Sequence, residues 1–246
     1  MAKPLSKLGA LIGRIVKTIV GLLLVPLVIG LVLAIAAELE SLGGGHVLAQ
    51  WFVWGVLGYA IMHLFFYKPT AVFRTSHALL ARISAWLFGG QVATVGAEGA
   101  SPKPPKGKKQ KGNGKADSAS PAAQGSTLVV LSPYLVPLYV VLVAIGVQVL
   151  SHWIQPEVVQ RVGVLLIGLA IAMHVVMTAD DLQADRERFP IEMYVMSLAI
   201  SGLVSLAMTV ACLPLVVPEF DWLGVFADAL RQTRAIYATA FSALFL

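Results

Sequence analysis

The sequence predicts an all-α fold, a polytopic integral membrane helical bundle with about five transmembrane helices plus an amphipathic or re-entrant helix. Three observations predict it. Hydrophobic residues make up 58% of the 246 and charged residues 13%, against about 25% charged in soluble domains. Several runs reach the roughly 20 apolar residues that cross a bilayer. Lysine and arginine gather in alternate segments between those runs. The polar-in alternation of an outer-membrane barrel is absent.

Residues 1–17 are basic, with Lys3, Lys7, Arg14 and Lys17. The uncharged run 19–37 is the first span. Its basic start and Ala34-Ile35-Ala36 also fit a cleaved signal peptide, but the run is long for one, which favours a retained anchor. The second span is 47–66, with Trp51, Trp54 and Tyr67 near its ends, where aromatic rings favour the interface. The third, 127–150, holds Pro133 and Pro137 around Tyr134 and is expected to kink. Ser132, Tyr134 and Tyr139 suit the lining of a cavity, but are rather expected to satisfy the backbone groups that the prolines release. The fourth is 162–178 and the fifth 193–217. The segment 222–246 carries Asp228, Arg231 and Arg234, and reads as interfacial or as a poor sixth span.

Between the second and third spans, Lys68, Arg74, His77 and Arg82 interrupt an apolar stretch that stops at Gly89-Gly90. It predicts an amphipathic helix over 72–88. The chain thus divides into an N-terminal membrane half (1–100), a linker (101–126) and a C-terminal membrane half (127–246) with three spans and an interfacial helix. The linker, rich in Pro, Gly, Lys and Ser, is too polar to offset its ordering entropy and is expected to be disordered. It reads as a solvated tether. Its lysines also suit anionic lipid headgroups. Nucleic acid is not expected, because no aromatic residue interrupts the lysines.

With the N-terminus in the cytoplasm, five alternating spans leave four basic residues before or in the first turns of the first span. Nine more lie between Lys68 and Lys115 and two at Arg186 and Arg188, so 15 of the 18 are on the cytoplasmic side. Arg161, Arg231 and Arg234 fall outside this set. This bias predicts a cytoplasmic N-terminus; the membrane is expected to be a bacterial inner membrane. The single cysteine, Cys212, permits no internal disulfide and no cysteine-based metal cluster. There is no internal repeat, no Walker-type loop, no G-x-S-x-G and no dinucleotide fingerprint.

Ionisable residues within spans point to function by default. His63 and His174 lie in spans, and Asp180 and Asp181 follow at the membrane edge. These four form a candidate polar site. His77, His174 and Asp181 would make a zinc shell. The scattered spacing favours neutral imidazoles that hydrogen-bond between helices instead. A Pro-kinked span with His63 and His174 also suits a polar path.

The run HALLARISAWLFGGQVATV, beginning at His77, resembles the helix and following turn of membrane-embedded zinc metallopeptidases of the site-two-protease type. Those read H-E-x-x-H, a small-apolar stretch, a Leu-Phe-Gly-Gly-like turn and a strand. LSPYLVPLYVVL, from Leu131, resembles a later Pro-Tyr-x-x-Pro segment of some bacterial members. GLAIAMHVVMTADDLQAD, from Gly168, resembles their span with a histidine that leads to acidic residues. The three occur in family order. Aligned on Trp86 to Gly90, His77 takes the first metal-ligand position, Ala78 the catalytic glutamate's place and Ala81 that of the second histidine. Aligned on His77-Ala78-Leu79, His77 becomes the second ligand, and Phe73 and Arg74 stand where the first histidine and the glutamate belong. Asp180, Asp181 and Asp185 compete for the third ligand.

Either register loses the general base and one ligand. Two histidines at i and i+4 grip zinc and the glutamate activates its water. The resemblance therefore implies a pseudo-peptidase: a non-catalytic membrane protein on a degenerate scaffold, with no cofactor, that binds or assembles with another membrane protein. The alternative is a small transporter or channel component that uses His63 and His174. A third reading is an active metalloenzyme with zinc on His77, His174 and Asp181.

Overall fold

The computed structural model describes residues 2–42, 46–65, 70–88, 134–184 and 190–245. In chain order its α-helices are α1 (Ala2–Ser41), α2 (Val47–Phe65), α3 (Thr70–Phe88), α4 (Leu138–Leu150), α5 (Pro156–Ala184), α6 (Ile191–Cys212) and α7 (Trp222–Phe245). A 3-10 turn, Leu213–Leu215, follows α6. Among the described residues there is no strand. Among the described residues, four segments are long and apolar enough to cross a membrane: Leu11–Ser41, Val47–Phe65, Pro156–Ala184 and Ile191–Leu215. The protein is an all-α membrane bundle.

Local chemistry sets several ends. Pro156 opens α5 at a position where a missing N–H costs nothing. Pro190 precedes α6, whose first turn carries Glu192 beside the positive end of the helix dipole. Asp221 caps α7, its Oδ1 accepting the Gly224 N–H at 3.0 Å. Pro214 sits in the turn that closes α6. The basic start of the chain is helical too, so α1 extends well before the expected first span. The first part of the third span and the linker 101–126 lie outside the described residues; α4 covers the last 13 residues of that span.

Side-chain pairs give the direction of each helix. Arg14 meets Glu192 at 3.3 Å, and Gly21 lies against Met196, so α1 and α6 run parallel. Gly168 lies against Phe52, and His63 meets Asp180 at 3.4 Å, so α2 and α5 also run parallel. Val147 packs on Gly163, and Tyr134 bonds Asp181, so α4 is antiparallel to α5. Leu182 packs on Met193 and Tyr194, which makes α5 and α6 antiparallel. Glu38 meets Asp221, and Leu23 meets Tyr237, so α7 is antiparallel to α1. Direction thus alternates along α1, α2, α4, α5, α6 and α7, as in a chain that crosses back and forth. α7 lies lengthwise on α1 rather than across the end of the bundle.

Lipid is as apolar as leucine, so close packing holds such helices together rather than the hydrophobic effect. At the α2–α5 crossing, a Cβ on Gly55 would stand 2.9 Å from Leu169 N and overlap Leu165 O. A Cβ on Gly168 would overlap Phe52 O. Glycine is required at both. The main core draws Ile35, Phe52, Val140, Ile167, Val210 and Val225 from α1, α2, α4, α5, α6 and α7.

Candidate functional site

The polar groups gather at the end of the bundle where α1 begins. α3 contributes one face. Phe73, Ser76 and Leu80 are buried, with His77 between them, at the i, i+3, i+4, i+7 spacing of an inward stripe. Arg74, Ala78 and Arg82 are exposed on the other side. Ala81 is helical, and Gly89 and Gly90 lie outside the described residues.

The proline break supplies acceptors. Tyr134 and Leu135 end one helical stretch, and Leu138 begins the next after Pro137. Their carbonyls lack the usual partner four residues on. α5 and α6 supply donors instead. His174 Nε2 donates to Tyr134 O at 3.0 Å, and Ser201 Oγ donates to the same carbonyl. Ser205 Oγ donates to Leu135 O at 3.4 Å. That geometry puts the His174 proton on Nε2. Ser132, Tyr134 and Tyr139 are the residues expected to serve the released backbone groups; to these two carbonyls α5 and α6 donate. Ser132 lies outside the described residues.

Tyr134 also binds through its ring. Its hydroxyl donates to Asp181 Oδ2 at 2.7 Å, and its edge meets the His77 ring, centroids 4.6 Å apart. His77 lies 6.4 Å from His174 between centroids. The Phe73 ring is 2% exposed and sits 3.9 Å from His77 and 6.3 Å from His174. Burial, with His174 nearby, pushes the His77 imidazole down to about 3, so it is neutral at ordinary pH. Its Nε2 is enclosed without a hydrogen-bond partner.

The other two candidates pair separately. His63 Nε2 is 3.4 Å from Asp180 Oδ2, and His63 Nδ1 is 3.3 Å from the Tyr59 hydroxyl. The His63 ring thus lies between the Tyr59 hydroxyl and the Asp180 carboxylate. This chain ties α2 to α5. His174, His77 and Asp181 therefore share one cluster around Tyr134, while His63 and Asp180 form a second on the next face of α5.

α6 adds Ser197, Ser201, Ser205 and Thr209, all buried and four residues apart. Thr209 bonds back to Ser205 O at 2.8 Å. Ser197 Oγ and Thr178 Oγ1 have no partner, although both residues are 0% exposed. The antiparallel register that sets Leu182 by Met193 and Tyr194, and His174 by Ser201, brings these two hydroxyls level. The four-residue serine spacing on an apolar span is the sequence signal that finds this row. Phe73 is reached in the sequence only through the resemblance, which sets it in the first histidine's place in one register.

No family model, curated protein or solved structure matches the chain.

The residues do not fit a zinc centre. Among the described residues no three His, Cys, Asp or Glu side chains converge on one point. His174 Nε2 and Asp181 Oδ2 are already hydrogen-bonded, and Phe73 fills the space beside His77. Asp185 lies outside the described residues.

Proposed function

We propose that this is a non-catalytic integral membrane protein, built on a degenerate intramembrane-metallopeptidase scaffold, that works by binding or assembling with another membrane protein. One observation carries the reading. Phe73 and His77 share the inward face of α3 at i and i+4, the spacing of a histidine pair that grips metal. In the register that makes His77 the second ligand, a phenyl ring takes the first ligand's place. It can neither coordinate metal nor move a proton. Arg74 holds the glutamate's place and points outward. The chain sits in a bacterial inner membrane with its N-terminus in the cytoplasm, and the linker lysines contact anionic headgroups there.

The experiment is metal analysis of the purified full chain, alongside a cleavage assay on a transmembrane substrate. We expect sub-stoichiometric zinc and no chelator-sensitive cleavage. Stoichiometric zinc, with cleavage lost in His77→Ala, overturns the reading.

The buried hydroxyl row on α6 favours a second reading, a small transporter or channel component. Ser197 and Thr178 lack partners, which suits a polar path more than a packed core. His63→Leu and His174→Leu test it. A folded and phenotypically normal double variant removes it.

A further inference from the structure

Asp228, Arg231 and Arg234 stand on the outer face of α7, and the register of α7 on α1 sets their depth. Asp221 N–H donates to Glu38, Thr233 Oγ1 to Pro26 O at 3.3 Å, and the Tyr237 hydroxyl to Leu23 O. On that register Asp228 is level with Leu31, Arg231 with Val28 and Arg234 with Val25. The uncharged stretch of α1, 19–37, has its midpoint at Val28 and spans about 28 Å, close to the thickness of a bilayer's hydrocarbon layer. Arg231 is therefore level with the middle of that stretch, the mid-plane of a bilayer that α1 crosses.

All three charges face away from the bundle. Val225, Ala229 and Thr233 fill the face against α1. The Arg231 side chain is 75% exposed and pairs with Asp228 on the same helix. Arg234 is exposed and makes no ion pair among the described residues. Charged side chains at this depth are strongly disfavoured against lipid, so they face protein or water. Snorkelling does not relieve Arg234. Side chains tilt toward the start of their own helix, and for Arg234 that direction is the mid-plane.

We propose that the outer face of α7 docks a transmembrane helix of another protein that carries a carboxylate near its own mid-plane. Charge selects this occupant. Two arginines against one aspartate leave one positive charge over. A second copy of this chain brings the same surplus. The linker 101–126 has Asp117 as its one carboxylate among six lysines and cannot supply the balance. Beside Arg231 and Gln232, the small side chains of Ala235, Thr239 and Ala243 recur every four residues along a shallow groove. They set how near a partner helix comes. The proposal rests on the reading that the chain works through a membrane partner, and adds where that partner sits and what it carries.

The test places a photo-crosslinking side chain at Ala235, Leu79 or Trp54 in the full chain, in its native membrane. We expect a protein adduct from Ala235 that maps to a span containing Asp or Glu. It falls at least fivefold in Arg231→Leu with Arg234→Leu. Those substitutions remove exposed charge from the membrane, so they leave insertion intact, which an unchanged gel-filtration profile checks. An adduct with lipid, with a second copy or with a span lacking a carboxylate overturns the proposal. Protein adducts from Leu79 or Trp54 but none from Ala235 overturn this surface and leave the partner reading standing. No protein adduct from any position overturns both.

Discussion

The Phe73 ring lies 3.9 Å from the His77 imidazole, centroid to centroid, and both face His174. In the proposed reading an aromatic ring thus stands where a metal site needs a donor. Phe73→His puts three imidazoles, at positions 73, 77 and 174, around one space. Zinc affinity is expected to rise on the order of tenfold or more over the native chain. Competition titration against a chelator measures it. An unchanged affinity argues that the space does not admit a metal.

The carbonyl of Tyr134 takes hydrogen bonds from both His174 and Ser201. Ser201→Ala leaves it one donor and is expected to cost about 1 kcal/mol. Adding His174→Leu removes both of these donors. The double variant should lose about 1–3 kcal/mol beyond the sum of the singles, because the second lost donor costs more than the first at a shared acceptor. Thermal unfolding in detergent decides between this and simple additivity.

His77 is held down at about 3 by burial, with His174 adding to the effect. From its usual value near 6.5 down to about 3, the unfolded chain takes up a proton that the folded chain does not. The stability that neutral His77 contributes is complete above pH 6.5 and is lost progressively as pH falls toward 3. His77→Leu should flatten that acid-side decline. Parallel unfolding curves for both chains across this window count against it.

Gly55→Ala drives a Cβ into the α5 backbone at Leu165 and Leu169. Neither helix can yield locally, so α2 and α5 must separate, at a cost of several kcal/mol. Gly58, on the same helix, has nothing within 4 Å of its Cβ position. Gly58→Ala is expected to be neutral or slightly stabilising. A comparison of melting temperatures is enough, and equal losses contradict the crossing.

The sidedness argued from the basic residues has its own test. Protease added to the cytoplasmic face of inverted vesicles should cut within the lysine-rich stretch between Lys103 and Lys115. Protection there reverses the orientation.

Single residues show why the spans were legible and the site was not. Spans follow from local hydropathy: a run such as 19–37 meets the thickness of a bilayer whatever its neighbours are. The alternation of α1, α2, α4, α5 and α6 follows in turn, since successive spans must reverse direction, whereas the course of α7 along α1 was not legible. His63, His174, Asp180 and Asp181 were visible because ionisable groups are rare in lipid. Their partners were not. Pairing depends on which helix faces meet, and residues 134 and 201 are far apart in the chain until α4, α5 and α6 pack. Phe73 reads as an apolar residue on an amphipathic helix, set apart only by the resemblance. Its contact with the His77 ring exists because tertiary packing brings the two together. By itself the sequence determined an alternating membrane bundle, through hydropathy and charge along the chain. Tertiary structure alone decided that His174 bonds to the Tyr134 carbonyl and that His77 packs against aromatic rings, because those contacts join segments that sequence does not order relative to one another.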